Sequence, residues 1–298
     1  KDDAEVIVVV GSRAAPRSVA DSPVPIDVIS GSELMANGPS DMATLLRTVT
    51  PSYNVNAQAI SDGATIVRPA NLRGLSPDST LVLINGKRRH KGSIIAFSGG
   101  GIADGAQSPD VSTIPAIALK QVEVLRDGAS AQYGSDAVAG VINFVLNDND
   151  SGGMIEAKMG AFSEGDGELI TISGNVGLPL SDNGFINLSF ESNQQDATSR
   201  STQRSDAQGL IDAGNSDVRT PAAQVWGSPE ISDDLKLFVN AGIDLDGDSE
   251  AYLFGNWSEK TVEGGFYFRN PNNRGGVFGG PTLADGSASI LTADLTPG

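Results

Sequence analysis

From Gly152 onward, apolar and polar residues alternate in segments separated by turn residues. In Leu235 to Leu245 the odd positions are Leu235, Leu237, Val239, Ala241, Ile243 and Leu245, while the even ones are Lys236, Phe238, Asn240, Gly242 and Asp244. Successive side chains of a strand point to opposite faces, so this segment predicts one aliphatic and one mostly polar face. Over roughly 9 to 11 residues, that is the pattern of a tilted transmembrane β-strand. Leu169 to Leu178 repeats it, with Ile170, Ile172, Val176 and Leu178 opposite Thr171, Ser173, Asn175 and Gly177. Ile155 to Phe162, Phe185 to Ser192 and Ala251 to Phe268 alternate less regularly and bring the predicted strands to five.

The connections support this order. Ser163 to Gly167 and the long Gln194 to Asp233 fall on one side of the predicted sheet, and the short Pro179 to Gly184 and Asp246 to Ser249 on the other. Short turns on one side and longer loops on the other are expected of an outer-membrane barrel. About 22 strands close a plugged barrel, so five predict an incomplete one, with the chain stopping inside a loop after the fifth.

Before Gly152 the periodicity is mixed. Pro25 to Ile29 predicts a short strand, and Ser32, Leu34 and Met35 a brief helix ended at Asn37-Gly38. Ser40 is the expected cap of a helix over Asp41 to Val49, whose Met42, Leu45, Leu46 and Val49 stripe reads as core packing. Pro51 ends it; Asn54 to Gly63 predicts a polar loop and Thr65 to Val67 a strand. Leu81 to Ile84 predicts a buried strand, Asn85-Gly86 a hairpin turn and Gly92 to Gln107 an irregular glycine-rich loop. Lys120 to Asp148 reads as strand, tight turn, small-residue helix, glycine turn and strand, with Val122 and Val124 on the face opposite Gln121 and Glu123. Within residues 1–23, Glu5-Val6-Ile7-Val8-Val9-Val10 is a β-prone block in a polar arm.

Composition narrows the function. A net charge of −17 argues against sequence-independent nucleic-acid binding, which needs a cationic surface. Without cysteine there is no thiolate metal site, and with His90 the one histidine a histidine-based site is not expected. No apolar run approaches the roughly 20 residues of a membrane-spanning helix, so a membrane role requires strands. The chain begins with Lys1 and shows no charged-then-apolar leader, so a signal peptide is expected to have been removed or to lie outside it. Asp244, Asp246, Asp248 and Glu250 lack the glycine and final glutamate of an EF-hand loop, and Gly99-Gly100-Gly101 lacks the strand and helix of a phosphate cradle. No catalytic constellation is present, and an enzyme is not expected.

The segment KQVEVLRDGASAQYGSDAVAGVINFVLND resembles the end of the plug domain of TonB-dependent outer-membrane receptors, which leads into the first barrel strand. NLRGLSPDSTLVLINGKRR resembles the central plug hairpin of the same family, with Asn85 where aspartate is common, and GFINLSFESNQQDATSR resembles its barrels. Glu5 to Val10 resembles a TonB box without the usual threonine.

The resemblance implies an α+β plug domain, a small mixed sheet with short helices, followed by antiparallel transmembrane barrel strands. It divides the chain into an arm at 1–23, a plug at 24–150 and about five barrel strands at 151–298. It implies uptake of a scarce solute, a siderophore, cobalamin or oligosaccharide, across a Gram-negative outer membrane, with the plug facing the periplasm as gate and no cofactor. TonB and membrane lipid are the expected partners. Glu5, Val6, Ile7, Val8, Val9 and Val10 are the implied TonB-pairing residues. Gln58, Ser61, Asp62, Arg89, His90, Lys91, Phe97 and Ser98 fall on the implied solute-facing loops. Arg73 and Arg126 match plug positions that pair with barrel glutamates, with Glu123 a local candidate partner of Arg126. The other reading of the residues is a non-transporting β-rich surface protein or adhesin, or a plug-like signalling module.

Overall fold

The computed structural model describes residues 7–8, 17–18, 25–38, 41–55, 64–96, 101–126, 130–216, 218–222, 227–246, 249–264 and 268. In the arm, β1 (Ile7–Val8) pairs antiparallel with β2 (Arg17–Ser18). The next unit runs β3 (Ile26–Ser30), α1 (Gly31–Ala36), α2 (Met42–Val49), β4 (Tyr53–Val55), α3 (Ala64–Val67), β5 (Ala70–Leu72), β6 (Thr80–Ile84), β7 (Lys87–Arg88), β8 (Leu119–Leu125), α4 (Ser130–Tyr133) and β9 (Gly140–Leu146). After it come β10 (Gly153–Gly160), β11 (Leu169–Ser181), β12 (Gly184–Gln195), α5 (Ser205–Asp212), β13 (Glu230–Asp246) and β14 (Ser249–Glu263).

The first unit is built on a mixed sheet of order β3-β8-β9-β6-β7, with β9 at its centre, parallel to β6 and antiparallel to β8. Every residue of β6 is buried, because both faces are covered. Val82, Ile84, Ile142 and Phe144 pack with Leu34, Leu46 and Leu72 on one face, and Leu81, Leu83 and Val141 pack with Ile26 and Leu125 on the other. A strand buried on both faces reads as a continuous apolar run, as Val141 to Leu146 does.

Local chemistry corrects several expectations. The cap of α1 is Ser30 rather than Ser32, its hydroxyl accepting from Glu33 N; the cap of α2 is Asp41 rather than Ser40, accepting from Thr44 N. Thr65 to Val67 lies in the one-turn helix α3 instead of a strand. Asn54, expected to open a loop, sits in β4 and pairs with Asn71 of β5. Glu123, placed with Gln121 on the face opposite Val122 and Val124, is wholly buried, its carboxylate accepting from Gln121 and from Asn143 of the neighbouring β9.

The five later strands form a separate antiparallel sheet, ordered β10 to β14, in which each pairs with its chain neighbours. All five match predicted strands, although β14 ends at Glu263, short of Phe268. The long connection contains α5, whose Ala207 and Leu210 form a small core with Val218 and Ala222. Burial alternates in the reverse of a water-soluble sheet. On one face Lys236 is 1% exposed and Asp234 and Asn187 3%, while on the other Ile155 is 80%, Leu253 64% and Leu245 59% exposed.

Phe144 fixes the centre of the first core. Phe144→Ala is expected to lower stability by about 3–5 kcal/mol, read as a shift of the urea midpoint; a loss under about 1 kcal/mol would show that β9 is not the central strand.

Candidate functional site

The region with the most organised chemistry is the seam where the mixed sheet meets the polar face of the later strands. At its centre is the β6–β7 turn. Asn85 and Gly86 have φ of 47° and 74°, the left-handed pair that a two-residue hairpin turn of the primed type requires. Asn85 Oδ1 accepts from Leu146 N at 2.9 Å, and Gly86 N donates to Asn143 Oδ1 at 2.9 Å. Asn143 in turn donates to Glu123 Oε2 at 3.1 Å, and Gln121 Nε2 donates to Glu123 Oε1 at 2.8 Å. The buried carboxylate therefore belongs to a polar chain that fastens the turn to the central sheet.

From this fixed turn the hairpin reaches β13 and β14. Asn85 Nδ2 donates to Asn240 Oδ1 at 3.3 Å, and Asn240 Nδ2 donates to the Asn147 carbonyl at 2.9 Å. Arg89 Nη1 donates to Asn256 Oδ1 at 2.5 Å and Nη2 to Thr113 Oγ1 at 3.4 Å. The Lys87 ammonium lies 5.9 Å from the centroid of the Tyr252 ring. At the other end of the seam, Lys158 Nζ donates to the Met35 carbonyl in the last turn of α1 at 2.5 Å, where a cation meets the negative end of the helix. Phe238 joins the core of the first unit, with Phe254 packed against it. Most of these contacts are single hydrogen bonds, each worth about 0.5–1.5 kcal/mol net, so the seam is specific without being strongly adhesive.

On the first unit's side, Asp41 both caps α2 and pairs with Arg68, the two side chains 20% and 14% exposed. Burial raises the Asp41 carboxyl, but Arg68 and the Thr44 N–H outweigh it and leave it below its ordinary value. At Asp110 burial wins, raising the carboxyl despite hydrogen bonds from the Ser112 hydroxyl and N–H. On the sheet's side, Lys236 bridges Glu191 at 2.6 Å and Asp234 at 3.3 Å.

The residues singled out in the sequence distribute as follows. Arg89 lies in the seam; Lys91 pairs with Asp78 at 3.1 Å; His90 is exposed, and the neighbouring Arg89 charge, with a smaller effect of burial, lowers its pKa. Arg126 Nη2 binds Asp27 Oδ1 on β3 at 2.7 Å, and Arg73 Nη1 donates to the Arg126 carbonyl at 3.1 Å. Asp27, not Glu123, is thus the carboxylate beside Arg126. Gln58, Ser61, Asp62, Phe97 and Ser98, and Glu5, Val6, Val9 and Val10, lie outside the described residues. Sequence reasoning missed Asn240, Asn256, Lys158 and Lys236; Asn240, Lys236 and Lys158 share the signal of an even-numbered, polar place on a strand whose odd places are largely aliphatic or small, whereas the odd places around Asn256 are mixed.

Residues 18–141 match the family model described as TonB-dependent Receptor Plug Domain. That segment is a plug domain of the TonB-dependent receptor type, and an antiparallel sheet of barrel-type strands follows it in the chain. It is 25% identical over 191 residues to the ferric enterobactin receptor of Pseudomonas aeruginosa, covering 57% of this chain and 25% of that one. It is 30% identical over 121 residues to the ferrienterobactin receptor of Escherichia coli K12, covering 40% and 16%, and 26% identical over 175 residues to the vitamin B12 transporter BtuB of Photobacterium profundum, covering 59% and 26%. The matched parts thus span about a quarter or less of these relatives. Among solved structures, a Pseudomonas aeruginosa ferric enterobactin receptor in complex with enterobactin shares the fold with a TM-score of 0.60 at 17% identity, over 80% of this chain and 33% of that one. The siderophore receptor PirA of Acinetobacter baumannii does so at 0.59 and 21%, over 80% and 32%.

Because the folded Asp41 carboxyl titrates below 3.8, its contribution to stability is complete above that pH and lost as the pH falls through the depressed value. Asp41→Asn should cost roughly 3 kcal/mol at neutral pH by stranding Arg68. In acid denaturation the gap between the two proteins should close as the pH drops below 3.8; a gap independent of pH would refute the pairing.

Proposed function

We infer that this chain supplies the gate and five wall strands of an outer-membrane transporter that takes up a scarce solute with energy from TonB. The observation that carries this reading is the reversed burial of the β10–β14 sheet, whose polar face is sealed by the plug while its aliphatic face is left to the surroundings. Hydrocarbon rewards that arrangement, and water does not. Among the described residues β10 and β14 each pair on one side alone. An open strand edge has no water to satisfy it in a bilayer, so the reading requires further strands to complete the ring.

The plug faces the periplasm in this reading, with the arm below it. Glu5 to Val10 acts as an added strand for TonB, since backbone pairing tolerates side-chain variation; the extended pairing of Ile7 and Val8 with Ser18 and Arg17 supports such a use. Arg73 and Arg126 remain proposed plug–barrel contacts, and Glu123 is proposed to act through Asn143 on the turn that meets the wall. Ferric enterobactin receptors and vitamin B12 transporters among the relatives favour a ferric siderophore, with a cobalamin as the second class and an oligosaccharide third. The solute loops proposed are those of Gln58, Ser61 and Asp62 and of Phe97 and Ser98, with His90 beside them. Arg89 and Lys91 already have partners in Asn256 and Asp78, which shifts them toward holding the loop in place. A passive surface protein or adhesin would have no use for a plug, which sets that reading behind.

The test is uptake of ferric enterobactin and of cyanocobalamin by cells lacking their own receptors for both. Deleting Glu5 to Val10 should abolish uptake and leave surface binding intact. Uptake that survives the deletion contradicts the energy-coupling role, and failure to take up either solute contradicts the solute classes.

A further inference from the structure

The glycine-rich stretch after the β6–β7 hairpin has more internal order than its sequence suggests. Its two described legs, 92–96 and 101–107, are joined across the neck. Gly92 N donates to the Ser108 carbonyl at 3.0 Å, Gln107 Nε2 to the Gly92 carbonyl at 2.8 Å, and Ala96 N to the Ala106 carbonyl at 2.9 Å. Ala96 and Ala103 form a small buried core between the legs. Beside these alanines, Ile95 and Ile102 are held outward, 56% and 47% exposed.

One carboxylate touches both legs at the neck. Asp78 Oδ1 accepts from Lys91 Nζ at 3.1 Å, just before the first leg, and from Gln107 N at 3.2 Å, at the end of the second. An ion pair as exposed as this one, with side chains 55% and 40% accessible, contributes little alone. The further bond from a backbone N–H to the same charged oxygen gives the contact its direction. Asp78 is itself fixed, because it lies in the turn Pro77–Ser79 that leads into β6. Ser79 N donates to the Ser76 carbonyl at 2.8 Å, and the Ser79 carbonyl accepts from Ala139 N at 2.9 Å. The loop is thus registered on the central sheet.

Strand directions place this neck within the molecule. β9 ends where the chain passes to β10, whose Gly153 lies opposite Val176, at the short-turn end of the wall. β6 is parallel to β9, so its start, with Asp78 just before it, lies at the opposite end of the plug. The hairpin contacts agree. From Asn85 to Arg89 they pass from Asn240 to Asn256, whose partner Phe238 is farther from the short turn between β13 and β14. In the transporter reading, the end away from the short turns meets the arriving solute.

We propose that Asp78 is a positioning residue for solute recognition, holding the loop so that Ile95 and Ile102 meet an aromatic or aliphatic part of the solute. This role rests on the transporter reading above and adds a determinant of affinity to it.

Asp78→Ala, Asp78→Asn and the pair Ile95→Ser with Ile102→Ser are made in the full receptor. Affinity at the cell surface is measured beside the half-saturation and the saturating rate of uptake, with ferric enterobactin or cyanocobalamin, whichever passed the uptake test. Asp78→Ala is expected to weaken binding about tenfold, as the loss of one or two hydrogen bonds would, and to raise the half-saturation equally while the saturating rate is kept. Asp78→Asn, which retains the acceptor for Gln107 N, should stay within about threefold of the unaltered receptor. The isoleucine pair should weaken binding, and adding Asp78→Ala to it should weaken binding little further, since both act through one loop. Unchanged affinity in Asp78→Ala, a fall in the saturating rate with affinity kept, or effects that multiply independently overturn the role and leave the transporter standing. Should Asp78→Ala fail to reach the surface, Gln107→Ala, which opens the same neck from the other leg, decides by the same readings. An unaltered receptor that takes up neither solute strikes the transporter reading itself.

Discussion

A strand that separates two media must sort its side chains by parity, and that constraint organises the second half of this chain. From Leu235 to Leu245 of β13 the odd positions are aliphatic, and the even positions of the strand include Asp234, Lys236 and Asn240, which the plug covers. A shift of one residue in register would present Lys236 to the outside and Leu237 to the plug. Cross-strand pairs on the plug-facing side of the ladder help hold that parity: Asn187 opposes Asn240, and Glu191 opposes Lys236.

The same polar face explains how the plug is held. A gate must be seated in one position and yet be removable. Apolar packing over the whole seam would favour seating alone. Here Phe238 supplies a local apolar anchor, and Asn240, Asn256 and Lys158 supply direction through single hydrogen bonds to Asn85, Arg89 and Met35. Asn85 is central because its amide serves both sides, closing the turn through Leu146 N and reaching Asn240.

Much of the fold was legible in the sequence because two periodicities are strong. Period-two alternation located the five wall strands, and Asn85-Gly86, Val141 to Leu146 and the Met42 stripe located the turn, central strand and helix of the plug. Errors arose where tertiary context overrides local preference. Thr65 to Val67 is β-branched yet forms a helical turn, and a seven-residue strand such as β8 does not disclose in its own pattern that Glu123 is wholly buried. The seam itself was only half legible. Parity marks Asn240 and Lys236 as inward, but which plug residue meets each depends on how two separately folded sheets are stacked, and no local spacing encodes that. Arg89 illustrates the difficulty, since nothing beside it in the sequence marks the wall strand whose Asn256 it meets.

The central claim is that the aliphatic face meets hydrocarbon, and Trp257 tests it directly. This residue stands opposite Leu237 and is 49% exposed on that face. In the complete receptor, with Trp226 of this chain and every tryptophan beyond it replaced by Phe so that Trp257 alone emits, fluorescence is measured in bilayers of lipids brominated along the acyl chain and, separately, with aqueous iodide. Strong quenching by the brominated lipid and little by iodide is the predicted result; strong quenching by iodide with none by the lipid would contradict the account.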